Sequence, residues 1–188
     1  MNDDTIDLEH VNKIRDGDSA GFRFFITKYK DLLFTYASTT LVDRQLAEEA
    51  VQDAFVNAFR YLKSFRGSSS FKTWLIRILI NEANKKRKQV ERNIVLKEKF
   101  NEDMAINEEA PVLSDEIETV KYALGLMDSD KSLALRLFYL DEYSIKEIAQ
   151  LTGWTIAKTK VSLHRAKKDI IAIVSELQSK TQSDGSKR

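Results

Sequence analysis

The side chains best suited to meet a polyanion are concentrated near the carboxyl-terminal end of the chain. Between Trp154 and Lys168 the sequence holds lysines, an arginine and a histidine, but no acid. Cations on one helix face bind phosphates, and arginine and lysine also recognise guanine edges in a major groove. The candidate contacts in this segment are Lys158, Lys160, His164, Arg165, Lys167 and Lys168.

The residues around this segment predict a helix, a tight turn and a second helix. Ser144 and Glu147 have the spacing of a capping box, which satisfies free amides at a helix start. Gly153 suits the unusual backbone conformation of a tight turn, and Thr155 is placed to cap the following helix. This helix-turn-helix pattern is typical of DNA-binding proteins, although a helical hairpin with a solvated basic face would fit it as well.

A second segment combines aromatic and basic residues. Phe65 and Arg66 precede the turn at 67–70, and a basic cluster follows at 85–88. Aromatic rings beside cations suit single-stranded nucleic acid, because unpaired bases stack on the rings while the backbone follows the positive charge. The alternative is structural, since Phe71 and Trp74 have helical spacing and such a stripe first indicates burial.

Three apolar stripes at helical spacing must position this segment, and they predict three helices between 19 and 88. The third begins after the turn at 67–70, which has the composition of a helix start. We expect the apolar side chains to form the core of a first domain, while the chain before Leu8 lacks anchors. The stripes include Phe22, Phe25, Ile26, Tyr29, Leu32, Leu33 and Tyr36, then Leu46, Ala50, Val51, Ala54, Phe55, Ala58, Phe59 and Leu62, then Phe71, Trp74, Leu75, Ile78, Leu79 and Ala83.

After the third stripe the chain becomes acidic and loses its helical periodicity. An acidic stretch without helical periodicity, containing the single proline Pro111, predicts a linker with at most short helical pieces. Apolar positions from Val120 to Leu177 then predict four shorter helices, and the polar end at 179–188 lacks anchors.

With only six glycines and one proline, the predicted fold class is all-α. The predicted domains are 9–90 and 117–177, joined by a linker at 91–116.

The composition excludes several classes of protein. No run approaches the roughly 18 apolar residues of a membrane-spanning helix, and the acidic first residues are unlike a signal peptide, so we expect a cytoplasmic protein. Cysteine is absent and the histidines are only His10 and His164, so we expect no metal. Phosphate-binding and nucleophile motifs are also absent from the sequence, so we expect neither a cofactor nor an enzyme.

Taken together, these motifs resemble the ECF sigma factors of bacterial RNA polymerase. Residues 43–55 resemble the polymerase-binding region 2.2 of that family. The stretch from Phe65 through Asn81 is similar to its minus-ten-recognising segment, and 144–168 resembles its region 4 helix-turn-helix. Three motifs in the family's order are more specific than any one of them. The resemblance implies two small helical domains, region 2 and region 4, that direct core polymerase to promoters.

The resemblance also implies roles for individual residues. The polar face of the second helix would contact core polymerase, the third helix and the loop before it would bind the minus-ten element, and the last helix would face the minus-thirty-five duplex. The implied polymerase contacts are Glu48, Glu49, Gln52, Asp53 and Asn57. The implied minus-ten contacts are Arg66, Ser68, Ser69, Ser70, Lys72, Arg77, Asn81 and Lys85. The implied minus-thirty-five contacts are Lys158, Lys160, Val161, His164, Arg165 and Lys168.

Two alternatives remain open at this point. Thr159 stands where the family has an apolar residue in its recognition helix, so a register that buries Val161 instead would rotate the exposed face. A stand-alone helix-turn-helix regulator would explain the basic helix, but it leaves the motifs of the first domain unexplained. The family resemblance further implies an anti-sigma factor, with a membrane-anchored form among those expected, that covers the DNA- and polymerase-facing surfaces.

Overall fold

The computed structural model describes residues 3–98 and 116–185, and within those ranges the chain is helical, with no strand. It divides into two compact units, one built from the residues up to Lys88 together with Ala149–Trp154, and the other from the remaining residues. The all-α prediction with two helical units is confirmed. The α-helices are α1 (Asp3–Arg15), α2 (Arg23–Thr40), α3 (Arg44–Tyr61), α4 (Phe71–Glu98), α5 (Glu116–Leu126), α6 (Ser129–Leu135), α7 (Ile145–Thr152) and α8 (Ile156–Gly185).

Helices α2 and α3 pack against each other in the first unit. The Asp43 side chain caps α3 by accepting a hydrogen bond from the Leu46 N–H at 3.1 Å. The buried face of α3 carries alanines, and side chains this small allow helices to approach closely. These alanines are Ala47, Ala50, Ala54 and Ala58.

An aromatic cluster fixes the start of α4. Phe71, the first residue of α4, stacks on Phe25 of α2 with ring centroids 3.9 Å apart. Phe65 and Trp74 flank the Phe71 ring at 5.7 and 5.6 Å. The cluster therefore joins α2, α4 and the segment between α3 and α4, so the interpretation of Phe71 as core is confirmed. Trp74 is only partly buried.

The prediction that the start of the chain lacks anchors is wrong. Helix α1 begins at Asp3, and the Asp7 carboxylate is buried, with 1% of the residue exposed. Asp7 accepts hydrogen bonds from the Tyr29 hydroxyl and from Lys28 Nζ, the latter at 2.7 Å. The first unit thus contains a further long helix beyond the three that the apolar stripes predicted.

The apolar stripes identified most of the core of the first unit, with exceptions at its edges. Ile26 and Phe59 were expected in the core, but both are exposed. Helix α4 continues to Glu98, past the predicted start of the linker, and residues 99–115 lie outside the described residues. Helix α8 runs to Gly185, so the end of the chain is helical further than its polar composition indicated.

The four helices predicted after the linker are present as α5 to α8, although the end of α7, from Ala149 onward, belongs to the first unit. Helix α8 packs against α5 and α6, and a π-helical segment, Arg136–Leu140, extends α6 toward α7. Leu133 and Leu137 are buried, whereas Val120 and Leu140, which belong to the same apolar pattern, are exposed. In the described part of the chain, no helix has the length and apolar character needed to cross a membrane.

Candidate nucleic-acid interface

The capping box before α7 is present as predicted. The Ser144 N–H donates to Glu147 Oε2 at 2.8 Å, and the Glu147 N–H donates back to Ser144 Oγ at 3.3 Å. Hydrogen bonds from the Ser144 hydroxyl and then from its backbone N–H lower the pKa of the Glu147 carboxyl. Glu147 therefore stays ionised to a lower pH than an ordinary glutamate, and the reciprocal bonds fix where α7 begins.

The turn that follows α7 also has the predicted chemistry. Gly153 has a φ of 73°, in the left-handed region that favours glycine. The Thr155 hydroxyl accepts a hydrogen bond from the Lys158 N–H at 3.1 Å and so caps the start of α8. These local bonds set the boundaries of the helix, turn and helix that carry the basic face.

The register of α8 is settled by two residues. Thr159 is fully buried, and its hydroxyl donates to the Thr155 carbonyl at 3.0 Å, which satisfies its polar atom inside the unit. Val161 is 48% exposed. The shifted register, in which Val161 would be buried in place of Thr159, is therefore wrong.

Every residue predicted for the minus-thirty-five contact is exposed in this register. Arg165 lies four residues after Val161, and Lys168 three residues further, so the three share one side of α8. Lys158 Nζ pairs with Asp130 Oδ2 of α6 at 2.8 Å, a contact that sequence reasoning missed because the residues lie far apart in the chain. The exposed set is Lys158, Lys160, Val161, His164, Arg165 and Lys168.

The residues predicted for the minus-ten contact lie in the turn before α4 and along that helix. Gly67 has a φ of 71°, and the residues on either side of it are exposed. Ser70 Oγ accepts from the Thr73 N–H at 3.1 Å, so Ser70 caps α4 rather than presenting a free hydroxyl. The exposed members are Arg66, Ser68, Ser69, Arg77, Asn81 and Lys85, while Ser70 and Lys72 are partly buried.

Three of these residues share one face of α4. Arg77, Asn81 and Lys85 are spaced four residues apart, so they project from the same side of the helix. Lys85 Nζ pairs with Glu82 Oε1 at 2.7 Å. The face thus offers an arginine and an amide to solvent, together with a lysine whose charge is partly compensated by its own helix.

The predicted polymerase contacts on α3 belong to two groups. Glu48 and Gln52 are exposed, and Glu48 pairs with Arg44 at 2.9 Å. Glu49 and Asp53 lie one position further round the helix, and both contact Lys86 Nζ of α4, at 3.1 and 2.9 Å. The structure therefore places two of the acids against α4.

Lys86 keeps its charge in this position. Burial by itself lowers the pKa of the Lys86 ammonium, but the hydrogen bonds and charges of Asp53 and Glu49 outweigh it and raise the pKa above its usual value. This partly buried cation is compensated locally by the two carboxylates. Sequence reasoning had counted Lys86 only as one member of the basic cluster at 85–88.

Asn57 does not continue the exposed face of α3 that the sequence predicted. Its side-chain amide donates to Glu82 Oε1 of α4 at 3.0 Å, and Glu82 is buried while also accepting from Lys85. Asn57 is accordingly partly buried. A carboxylate this enclosed needs donors, and Asn57 supplies one of them.

Arg15 is a further residue of this region that sequence reasoning missed. Its guanidinium donates to the Leu62 carbonyl at 3.2 Å and to the Phe65 carbonyl. Both carbonyls belong to the segment that leads into the exposed turn at 66–70. The end of α1 therefore holds the base of that turn, a contact across the unit that helical periodicity does not report.

The geometry of α7, the turn after it and α8 defines a class of protein. A capped helix, a glycine turn and a second helix with exposed cations form a helix-turn-helix, a motif typical of DNA-binding proteins. Residues 25–92 match the family described as Sigma-70 region 2, and residues 117–170 match the one described as Sigma-70, region 4.

Relatives of known type match nearly the whole chain. The RNA polymerase sigma-H factor of Pseudomonas aeruginosa is 30% identical over 176 residues, which cover 87% of this chain and 91% of that protein. The ECF RNA polymerase sigma-E factor of Escherichia coli is 26% identical over 182 residues, covering 90% and 95%. The chain belongs to the sigma-70 family of RNA polymerase sigma factors and, within it, to the ECF type.

Solved structures share the fold. The sigma factor RpoE of Bartonella quintana, in complex with the anti-sigma factor NepR, has a TM-score of 0.65 at 23% identity, covering 82% of this chain and 96% of that one. CnrH, in complex with the cytosolic domain of CnrY, has a TM-score of 0.60 at 18% identity, covering 90% and 97%. The family matches and the sigma-H relative establish the function in transcription initiation, and the alternative of a stand-alone regulator has no support.

Proposed function

We propose that this sigma factor binds core polymerase and the minus-ten element through two faces of its first unit, and the minus-thirty-five element through one face of its second unit. The polar side of α3 binds core polymerase through Glu48, Glu49, Gln52 and Asp53, with Asn57 acting from the edge through Glu82. We assign polymerase and minus-ten binding to residues 9–90, the linking segment to 91–116 and minus-thirty-five binding to 117–177. The observation that carries this proposal is the polar side of α3, where Glu48, Gln52 and Asp53 are exposed beside the exposed face of α4.

The minus-ten element is assigned to the turn at 66–70 and to α4. Arg77, Asn81 and Lys85 offer a cation, an amide and a second cation on one face, which suits a DNA strand whose unpaired bases need hydrogen-bond partners. Arg66, Ser68 and Ser69 form the exposed part of the turn. Ser70 and Lys72 contribute from its base, where Ser70 also caps the helix.

The minus-thirty-five duplex is assigned to α8. Phosphate contacts from lysines orient a protein on DNA, and side chains near the start of a recognition helix reach base edges. Two DNA contacts on one chain raise each other's effective concentration when polymerase holds them at the right span. The assigned contacts are Lys158, Lys160, Val161, His164, Arg165 and Lys168.

This role needs no bond-breaking step, and we propose that the factor is not an enzyme and acts in the cytoplasm, where it meets core polymerase and promoter DNA. Strand opening is driven by capture of unstacked bases. An anti-sigma factor is a further proposed partner, because both fold neighbours described above were solved with a second protein, in one case a named anti-sigma factor. It would cover the polar side of α3 and the basic face of α8.

The polymerase assignment is tested by replacing Gln52 and Asp53 together with alanine. We expect affinity for core polymerase to fall about tenfold or more, because contacts of this kind contribute about 1 kcal/mol each and a factor of ten is about 1.4 kcal/mol. Helix content should stay intact, since both side chains are exposed and Lys86 keeps Glu49 as an acidic partner when Asp53 is removed. Binding is measured with labelled factor and purified core polymerase. Unchanged affinity would contradict the assignment.

Asn81→Ala is expected to spare folding and impair promoter opening. Asn81 is exposed, so the free energy of unfolding should change by no more than about 0.5 kcal/mol. Loss of one base contact worth about 1 kcal/mol should lower the open-complex population about fivefold. Permanganate reactivity of unpaired thymines measures opening. If the variant melts and opens promoters like the parent, Asn81 has no such role.

Arg165→Ala distinguishes a phosphate contact from a base contact. We expect a phosphate role, because half to two-thirds of protein–DNA hydrogen bonds go to the backbone and Arg165 lies beyond the first turns of α8. Holoenzyme binding should then weaken nearly equally for promoters that differ only in the minus-thirty-five element, and the salt slope should fall by about 1. A loss of about 1–3 kcal/mol confined to one base would instead indicate a guanine contact.

A further inference from the structure

Lys86 differs from the rest of the basic cluster at 85–88 in its surroundings. Only 17% of its side chain is exposed, and its ammonium lies between two carboxylates of α3, 3.1 Å from Glu49 and 2.9 Å from Asp53. Lys88, two residues further along, is exposed. The positive charge of Lys86 is therefore turned toward α3 and away from solvent.

The two carboxylates have a second expected partner. Glu49 and Asp53 belong to the polymerase contacts proposed above, and their side chains are 43% and 52% exposed, so a cation from outside can reach them. Cations of polymerase and Lys86 would then compete for the same oxygens. A lysine can leave such a pair without a backbone movement, because its four-carbon stem is flexible.

We propose that Lys86 is an internal competitor that polymerase displaces from Glu49 and Asp53, and that the freed ammonium then contacts the phosphate backbone of the minus-ten strand. The inference rests on the proposed assignment of α3 to polymerase and α4 to DNA. Polymerase binding thereby adds a positive charge to the DNA-facing helix. By linkage, DNA binding at this position strengthens polymerase binding by the same factor.

The size of the effect follows from the exposure of the carboxylates. Ion pairs open to solvent contribute between about 0 and 1 kcal/mol, so an exchange of partners changes an affinity by up to about fivefold. The exchange therefore tunes binding and does not act as an all-or-none switch. Because the pairs are partly exposed, the effect should shrink as the salt concentration rises.

The test compares Lys86→Met, which keeps the length of the side chain and removes its charge, with Lys88→Met as the matched control. Core affinity is measured by titration with purified core polymerase. DNA affinity is measured for the free factor and for holoenzyme, with a single-stranded promoter fragment that holoenzyme has selected from a random pool. Thermal melting of both variants checks that the first unit folds.

For Lys86→Met we expect core affinity to rise about threefold, because no internal cation has to be displaced. Holoenzyme should bind the fragment about threefold more weakly, with a salt slope lower by about 0.7, the value for one phosphate contact on a single strand. The free factor should bind DNA unchanged. Lys88→Met should leave core affinity unchanged. Any change it causes in DNA affinity should be the same for the free factor and for holoenzyme.

Two results would overturn the inference. Core affinity that falls or stays the same in Lys86→Met would mean that Lys86 orients the acids or is irrelevant to them. Equal loss of DNA binding in free factor and holoenzyme would mean that Lys86 already faces DNA. The pair Glu49→Gln with Asp53→Asn separates the two proposals. If this pair leaves core affinity unchanged, the polymerase assignment fails, and if it weakens binding while Lys86→Met has no effect, only the inference fails.

Discussion

Phe71→Ala is expected to lower the free energy of unfolding of the first unit by about 3–5 kcal/mol, the usual range for removing a buried phenylalanine ring. Phe71 is 1% exposed and stacks on Phe25 at 3.9 Å. Alanine would leave a cavity among aromatic rings, which cannot collapse into it as flexible aliphatic chains do. The whole unit depends on this site, because the ring joins α2 to the start of α4.

Denaturant unfolding followed by tryptophan fluorescence measures this effect, since Trp74 lies 5.6 Å from the Phe71 ring. Val42→Ala is the control, because Val42 is 94% exposed and its truncation should change stability by no more than about 0.5 kcal/mol. Trp74→Ala should cost less than Phe71→Ala, since Trp74 is only partly buried. A loss for Phe71→Ala no larger than that of the control would contradict the packing described.

Local chemistry could be predicted from the sequence because the interacting atoms lie within four residues of each other. Ser144 with Glu147, and Thr155 with the Lys158 amide, are contacts of this kind. Gly153 was predictable because its turn requires a positive φ. The apolar stripes succeeded for the same reason, since a helix repeats its buried face every three or four residues.

Contacts between helices were not predictable in the same way. The buried side of α1 carries Asp7 where an apolar residue would complete the stripe with Val11, so periodicity did not reveal the helix. Lys86 and its two acids are separated by more than thirty residues, and each looked like a solvated surface charge. For Phe59 the error was the reverse: the sequence predicted a buried side chain, but Phe59 is exposed, because the apolar stripe of α3 is wider than the face that the unit buries.

The candidate site was also predictable in its local features but not in its contacts between helices. The predicted cations on α8 are exposed because of the register of that helix, which is fixed by the burial of Thr159. Which of those cations already has an acidic partner depends on how the helices pack, as for Lys158 with Asp130. Sequence thus indicated the surface, while the structure was needed to identify which of its charges are compensated.

Asp7→Ala is expected to lower the free energy of unfolding of the first unit by about 3 kcal/mol. The carboxylate accepts from Lys28 Nζ and from the Tyr29 hydroxyl, so its removal leaves a partly buried ammonium and a buried hydroxyl without their acceptor. Lys28 also lies 3.4 Å from Asp3, which is mostly exposed and compensates little. Glu9→Ala is the control, because it removes one acid from an exposed position of α1.

Alkaline pH provides an independent test of the same cluster. Burial, followed by the hydrogen bond and charge of Asp7, raises the pKa of the Tyr29 phenol well above its usual range. Tyr29 therefore stays protonated in the folded unit, whereas in the unfolded chain it loses its proton above about pH 10, its ordinary pKa. The contribution of Tyr29 to stability is thus complete below about pH 10 and is lost as the pH rises toward the folded-state pKa.

The decisive comparison is the parent against Tyr29→Phe across that pH range. Tyr29→Phe should cost about 1 kcal/mol at neutral pH, the value of one hydrogen bond, and its stability should fall less steeply above pH 10, because the titrating phenol is gone. If the two proteins lose stability in parallel above pH 10, Tyr29 has the same pKa in the folded and in the unfolded state of the parent. The enclosed Asp7 contact would then be absent in solution, and α1 would have to be held by its apolar residues alone.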